Sequence, residues 1–232
     1  MELTEVLRTT GAVRDFTDEP VTDETLYRIM SAARFAPSGG NRQGWRVIVV
    51  QDPATRVALR DLYLSGWYEY LAISAAGLVP WAPVTDRAAE QAAAAGADEL
   101  RRQAAAGPGG LAEHLEEAPV LLLVLGDLRV LAAVDRDGDR YTFAGGASVY
   151  PFAHNVLLAA RDEGLGGVMT TMVVRREHDV RALFGIPPEL AVAAVIALGH
   201  PRRQPKRLTR RPVEEFTTVD RYDGPPFHPP AG

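Results

Sequence analysis

The stretch "APSGGNRQGW" (36–45) sets Ser38, Asn41 and Gln43 among Pro37, Gly39, Gly40 and Gly44, at the entrance to the apolar run "RVIVV". Glycines let the backbone approach a planar ligand closely, and the three polar side chains offer donors and acceptors for its edge, so this stretch suits a heteroaromatic ring. The same residue types also make ordinary loops. A second concentration of chemistry is "RRQPKRLTRR" (202–211), with six basic residues in ten. It reads either as a clamp for a phosphate or as a solvated basic face.

Other chemistries are poorly served. The chain has 232 residues, no cysteine and a formal charge of −5. Disulfides, thiolate metal sites and a cysteine nucleophile are therefore excluded. The acidic balance leaves no general positive field for nucleic acid or an anionic membrane surface, so neither partner is expected. His114, His154, His178, His200 and His228 show no metal-ligand spacing. "GASVY" lacks the second glycine of a nucleophile elbow, and "GGASVYPFAHN" lacks the lysine of a phosphate-binding P-loop. The N-terminus has early acidic residues and no long apolar core, so neither a signal peptide nor a membrane span is expected, and a cytoplasmic location is the default.

The elements that must position these residues are legible in outline. Thr22 precedes Asp23 and Glu24, and Leu26, Ile29, Met30 and Ala33 follow at helical spacing, which predicts an amphipathic helix ending near Phe35. A second helix is expected from about Ala147 to Glu163, with Gly164 as its stop. The short apolar runs at 47–50, 120–126 and 191–199 read as strands covered on both faces. From about Trp67 to Gly110 the chain turns Ala-rich, which reads as exposed or lid-like helix. The expected organisation is one domain over 1–232, with a helical lid-like excursion at about 67–115 and a C-terminal arm at about 212–232. Strands alternating with long helices place it in the α+β or α/β class.

"GAVRDF" (11–16) followed by "APSGGNRQGW" resembles the nitroreductase family of FMN-dependent oxidoreductases, whose members pair an "R-x-S-x-R-x-F" segment with "A-P-S-x-x-N-x-Q-P-W". The resemblance continues in order through "FAGGASVYPFAHNVLLAARDEGLGG" (143–167), "VMTTMVV" (168–174), "AVIALGHP" (194–201) and "KRLTRRPVEEF" (206–216). It implies an α+β fold (an α/β sandwich) with a central mixed sheet flanked by helices. It also implies an intertwined homodimer whose two FMN sites lie at the interface and use both chains. Arg210 matches the arginine that meets the ribityl phosphate, with Lys206 and Arg211 as further candidates. Arg14 matches the basic residue at the pyrimidine edge of the ring, where negative charge collects on reduction. Pro37, Ser38, Gly39 and Asn41 match ring and ribityl contacts, with Gln43 beside them, and Met169, Thr170 and Thr171 match the segment lying against the flavin. No catalytic dyad is implied, because the chemistry belongs to the flavin N5, with Arg14 as electrostatic support. The implied donor is NADH or NADPH and the implied acceptor a small nitroaromatic, quinone or other conjugated molecule.

Departures from the pattern concentrate at Thr10, Gly11 and Ala12, where an arginine and a serine are usual, and at Gly44, where a proline is usual. Arg8 is the nearest substitute for the missing arginine. These departures keep two alternatives open. One is the same fold with a divergent flavin reaction, such as dehalogenation, dehydrogenation or flavin breakdown. The other is a flavin- or ligand-binding protein without turnover.

Overall fold

A computed structural model describes residues 1–140 and 143–229. Its helices are α1 (Leu3–Thr9), α2 (Asp23–Ala33), α3 (Pro53–Ala75), α4 (Arg87–Ala94), α5 (Ala97–Ala104), α6 (Tyr150–Asp162) and α7 (Glu177–Phe184). Its strands are β1 (Trp45–Val49), β2 (Val120–Asp127), β3 (Gly166–Thr170) and β4 (Leu190–Gly199), in the sheet order β1-β2-β4-β3. Among the described residues all three strand pairs are antiparallel, which corrects the expected mixed sheet, and the parallel component is confined to a single bridge between Ala12 and Gly167.

Side chains alternate across a strand, so β2 sends Leu121, Leu123 and Leu125 to one face of the sheet and Val120, Leu122 and Val124 to the other. Helices α2 and α6 cover the second set through Leu26, Ile29, Phe152 and Val156, and α3 and α7 cover the first through Leu59, Tyr63 and Val180. The result is a helix–sheet–helix sandwich with two cores. Each fully buried Leu, Ile or Val side chain in them contributes roughly 1.5–3 kcal/mol relative to exposure. Strand β1 departs from the expectation of cover on both faces: it is an edge strand, and Val49 is 42% exposed.

The caps explain where the helices begin. The Thr22 hydroxyl accepts from the Thr25 amide, as its position before Asp23 predicts. Asp52 does the same for Thr55 at 2.8 Å, with Pro53 at the first helical position of α3. Helix α3 continues to Ala75, and its Tyr68, Ala72 and Ile73 are buried, with Arg101 of α5 over the Tyr68 ring and Ala72 beside Gly96. Beyond it, α4 and α5 contain no fully buried residue and rest against α3. The Ala-rich segment is therefore two short helices joined at Gly96, too poor in bulky side chains to make a core of their own.

After residue 211 the described residues form a short 3₁₀ turn, Val213–Glu215, and a bridge between Thr218 and Pro226. Phe216, Tyr222 and Phe227 lie exposed along it. The end of the arm expected at 212–232 lies outside the described residues.

Candidate functional site

The basic cluster folds back onto the first helix. Leu208 donates its amide to the Arg8 carbonyl at 3.0 Å, and Gln204 Nε2 donates to the Thr9 carbonyl at 2.9 Å. Gly11 makes this approach possible, because a Cβ there would stand 2.9 Å from Leu208 Cδ2 and 3.0 Å from Pro205 Cγ. The consequence is a cleft of about 1230 Å³ that brings Arg8, Lys206, Arg207 and Arg210 together, with Glu2 and Glu5 also on its wall. Among the described residues none of these four cations makes an ion pair. Arg210 Nη1 donates to the neighbouring Thr209 carbonyl, at 2.8 Å. Arg211 does not line this cleft, whereas Arg207, which the resemblance did not single out, does.

Arg14 follows Val13, whose amide donates to the Gly167 carbonyl at 2.9 Å, so the 12–14 segment runs beside β3. The obvious surface partners of Arg14 are taken. Asp15 and Asp18 pair with Arg202, and Glu19 lies 3.6 Å from His200 Nε2. Arg14 instead lines a smaller cleft with Glu117 and Ala118. Burial raises the Tyr63 phenol above its ordinary pKa, while Thr170 and Arg14 beside it act in the opposite direction. Arg14, Tyr63 and Thr170 are thus one neighbourhood, reached by Met169 and Thr170 at the end of β3 and continued by the exposed Thr171.

The 37–43 loop is a compact, self-bonded turn. Ser38 Oγ accepts from the Gln43 amide at 2.9 Å, and Gln43 Nε2 donates to the carbonyl and Oδ1 of Asn41 at 3.3 and 3.2 Å. The Gly39 amide donates to Ser148 Oγ at 3.0 Å. Gly40 supplies φ +61°, and Asn41 and Gln43 also sit in the left-handed region at 52° and 50°, a conformation that side chains tolerate only when the surroundings hold it. Pro37, Gly39, Asn41 and Gln43 are exposed at the surface. Trp45, just after the loop, stacks on Phe152 with ring centroids 4.9 Å apart and planes 7° apart, which pins the loop to α6.

The loop and Arg14 lie at opposite ends of β2. The Gly44 carbonyl accepts from the Asp127 amide at 2.7 Å, at the last residue of the strand, whereas Glu117 and Ala118 beside Arg14 come just before its first. Seven residue steps at ~3.3 Å separate the two by about 23 Å. The sequence-derived site residues therefore form two constellations on one chain. One comprises Arg8, Arg14, Met169, Thr170, Thr171, Lys206 and Arg210. The other comprises Pro37, Ser38, Gly39, Asn41 and Gln43.

The anchor of the loop has a measurable electrostatic signature. Asp127 is 2% exposed, and Arg129 grips it through Nε at 2.9 Å and Nη2 at 2.7 Å, with Arg46 Nη2 3.6 Å away. The Arg129 hydrogen bonds pull its carboxyl down to about 2. Because the folded value lies below the unfolded ~3.9, this stabilisation is fully present above about pH 4 and disappears as pH falls toward about 2. Asp127→Asn is expected to be less stable than the parent at pH 7 and to converge with it near pH 2, as denaturant melts across that range will show.

The model of the Nitroreductase family matches residues 7–200. The chain is 32% identical over 203 residues to an NADH dehydrogenase of Thermus thermophilus, covering 88% of each. It is 30% identical over 202 residues to the 5,6-dimethylbenzimidazole synthase of Rhodospirillum rubrum, covering 83% of this chain and 78% of that one. Its fold superposes with a TM-score of 0.62 on iodotyrosine deiodinase bound to FMN and 3-iodo-L-tyrosine, at 24% identity, over 96% of this chain and 99% of the other. The chain belongs to the nitroreductase family, whose relatives here carry the names of oxidoreductases and flavin enzymes.

Proposed function

We propose that this protein is an FMN-dependent oxidoreductase working as a homodimer, with each flavin held by the basic cleft and Arg14 of one chain and the 37–43 loop of the other. The observation that carries this reading is the convergence of Arg8, Lys206, Arg207 and Arg210 in one cleft, all without a carboxylate partner among the described residues, together with an Arg14 in a second cleft that likewise makes no ion pair among them. Unpaired cations suit a dianionic phosphate, and guanidinium groups can meet it bidentately. Glu2 and Glu5 on the same wall moderate the positive field and leave a net excess of two charges there, from four cations and two carboxylates. Arg8 takes the place of the arginine missing at residues 10 and 11.

Two-chain sites follow from the separation of the constellations. Arg14 stands at the end of β2 about 23 Å along the strand from the loop of the same chain, and Thr170, level with Leu123 through Val195, is four steps or about 13 Å along it from Asp127, so on this reading a second copy presents Ser38 and Asn41 to the ring. The exposed Phe216, Tyr222 and Phe227 of the C-terminal segment are suited to cover that second copy.

Bound FMN would supply the two-electron carrier that takes hydride from NADH or NADPH and reduces a nitroaromatic, quinone or other conjugated acceptor. The chain's own groups position and polarise. Arg14 provides a fixed positive charge where the reduced ring is anionic, the 37–43 loop orients the ring, and the helices after residue 75 exclude water as a lid. The nearly equal identity to a dimethylbenzimidazole synthase, 30% against 32%, favours as the second reading a different reaction run on the same flavin site.

An absorbance spectrum of the purified protein after FMN addition, followed by NADH or NADPH, tests the first reading: flavin absorbance that co-elutes with the protein and bleaches on donor addition is expected. Arg14→Ala is expected to retain flavin and to lower its reduction potential. Failure to retain FMN at all would refute the assignment.

A further inference from the structure

Beside the segment Thr171–Arg175 lies a cleft of about 680 Å³, lined by Tyr70, Trp81, Tyr150 and Arg175 and sharing only Thr171 with the expected flavin contacts. Three features of it are unusual. Trp81 sits at φ +53°, in the left-handed region that a bulky side chain avoids, and its amide is held there by the Glu90 carboxylate. Its ring ends an aromatic ladder that runs from the buried Tyr63 through Trp67 and Tyr70, with centroids 6.1, 5.5 and 6.1 Å apart. The Arg175 guanidinium stands 4.7 Å from the Trp81 ring centroid and gives Nη2 to Glu69 at 3.1 Å, while remaining about half exposed.

A backbone held in a costly conformation to present one indole, next to a cation that is only partly neutralised, is more than lid packing requires. The indole and phenol rings offer an electron-rich apolar wall to a planar aromatic ligand. Arg175 has five N–H donors in a planar fork and gives Nη2 to the Glu69 carboxylate at the rim, so donors remain for an anionic group carried by that ligand.

We propose that this cleft is the acceptor subsite of the flavin reaction, and that it selects planar aromatic acceptors bearing a carboxylate, with Trp81 and Tyr70 stacking the ring and Arg175 pairing with the carboxylate. The proposal rests on the flavin reading, because Thr171 at the cleft wall continues the strand end expected to lie against the ring. Glu69 then acts as a competitor, holding Arg175 in place and setting the threshold that an incoming anion must exceed.

Isothermal titration of the purified full-length protein with 4-nitrobenzoate and with the neutral 4-nitrobenzamide tests it, with flavin content read separately from the absorbance of the same sample. The parent is expected to bind the carboxylate at least about ten-fold more tightly than the amide, the scale of a charge-assisted hydrogen bond. Arg175→Gln should bring the two affinities together, Arg175→Lys should restore part of the difference, and Trp81→Leu should weaken both ligands. Glu69→Gln should tighten the carboxylate several-fold and leave the amide unchanged, a gain that a merely structural ion pair cannot produce. Equal affinities in the parent, or weaker carboxylate binding in Glu69→Gln, would overturn the proposal and leave the Arg175–Glu69 pair as a brace for the lid. Absence of flavin in the parent would instead refute the cofactor reading, independently of the isotherms.

Discussion

Phe152→Ala is expected to destabilise the protein by about 3–5 kcal/mol, the cost of emptying a large buried aromatic site that cannot fully collapse. Phe152 is 1% exposed and joins α6 to the core formed by Leu122, Val124 and Ile196. For a domain of this size that corresponds to a fall in melting temperature of roughly 6–20 °C. The loss also reaches the site, since Trp45 would have no ring to stack on and the 37–43 loop would lose its attachment to α6. Thermal melts with and without FMN should therefore show a lower transition and a smaller stabilisation by flavin. A melting temperature within a degree of the parent would mean that the Trp45–Phe152 stack does not hold the loop.

Arg210→Ala is expected to weaken FMN binding by about 1.5–3 kcal/mol, or roughly ten- to one-hundred-and-fifty-fold, the range for hydrogen bonds to a charged group. Arg210 shares its cleft with Arg8, Lys206 and Arg207, and the loss should shrink as ionic strength rises, because screening weakens the contribution of each cation, that of Arg210 included. Arg211→Ala supplies the control, because Arg211 lies outside the cleft and should leave the affinity within about two-fold. Equal losses in the two variants would mean that net charge, and not a built phosphate site, holds the cofactor.

How much of this was visible beforehand depended on how local the determinants were. The capping threonine at residue 22, the apolar period of α2 and α6, and the continuous apolar runs of β2 and β4 are local signals, and each element lies within a few residues of its expected place. Helix α3 was missed although Asp52 and Pro53 announce its start, because its apolar residues are spread around the helix and show no single stripe. The short β3 was missed for a different reason: "GGVMT" has two glycines and little strand propensity, and it is a strand because β4 and the 12–14 segment flank it. In the site, residue types identified the loop and the basic cluster. Which of its arginines turn into the cleft was a matter of chain path, decided by the Leu208–Arg8 hydrogen bond and the space left by Gly11. Tyr63 carried no sequence signal, and Ser148, though it lies in the 143–167 run, had none that marked it as a support for the loop, since a buttress is defined only by what it touches. The separation of the loop from Arg14 along β2 was likewise invisible until the register of the sheet was known.

That separation makes the shared site directly measurable by pairing two defective chains. One carries Arg14→Ala and Arg210→Ala, with an intact loop; the other carries Ser38→Ala and Asn41→Ala, with an intact basic cleft. Each is expected to be flavin-poor as a homodimer. Co-expressed with different affinity tags and isolated as the mixed dimer, they bring one intact loop to one intact cleft, so the account predicts one FMN per dimer, bleached by NADH or NADPH as in the parent. A mixed dimer that holds no more flavin than either parent variant would place the whole site within a single chain and contradict the account.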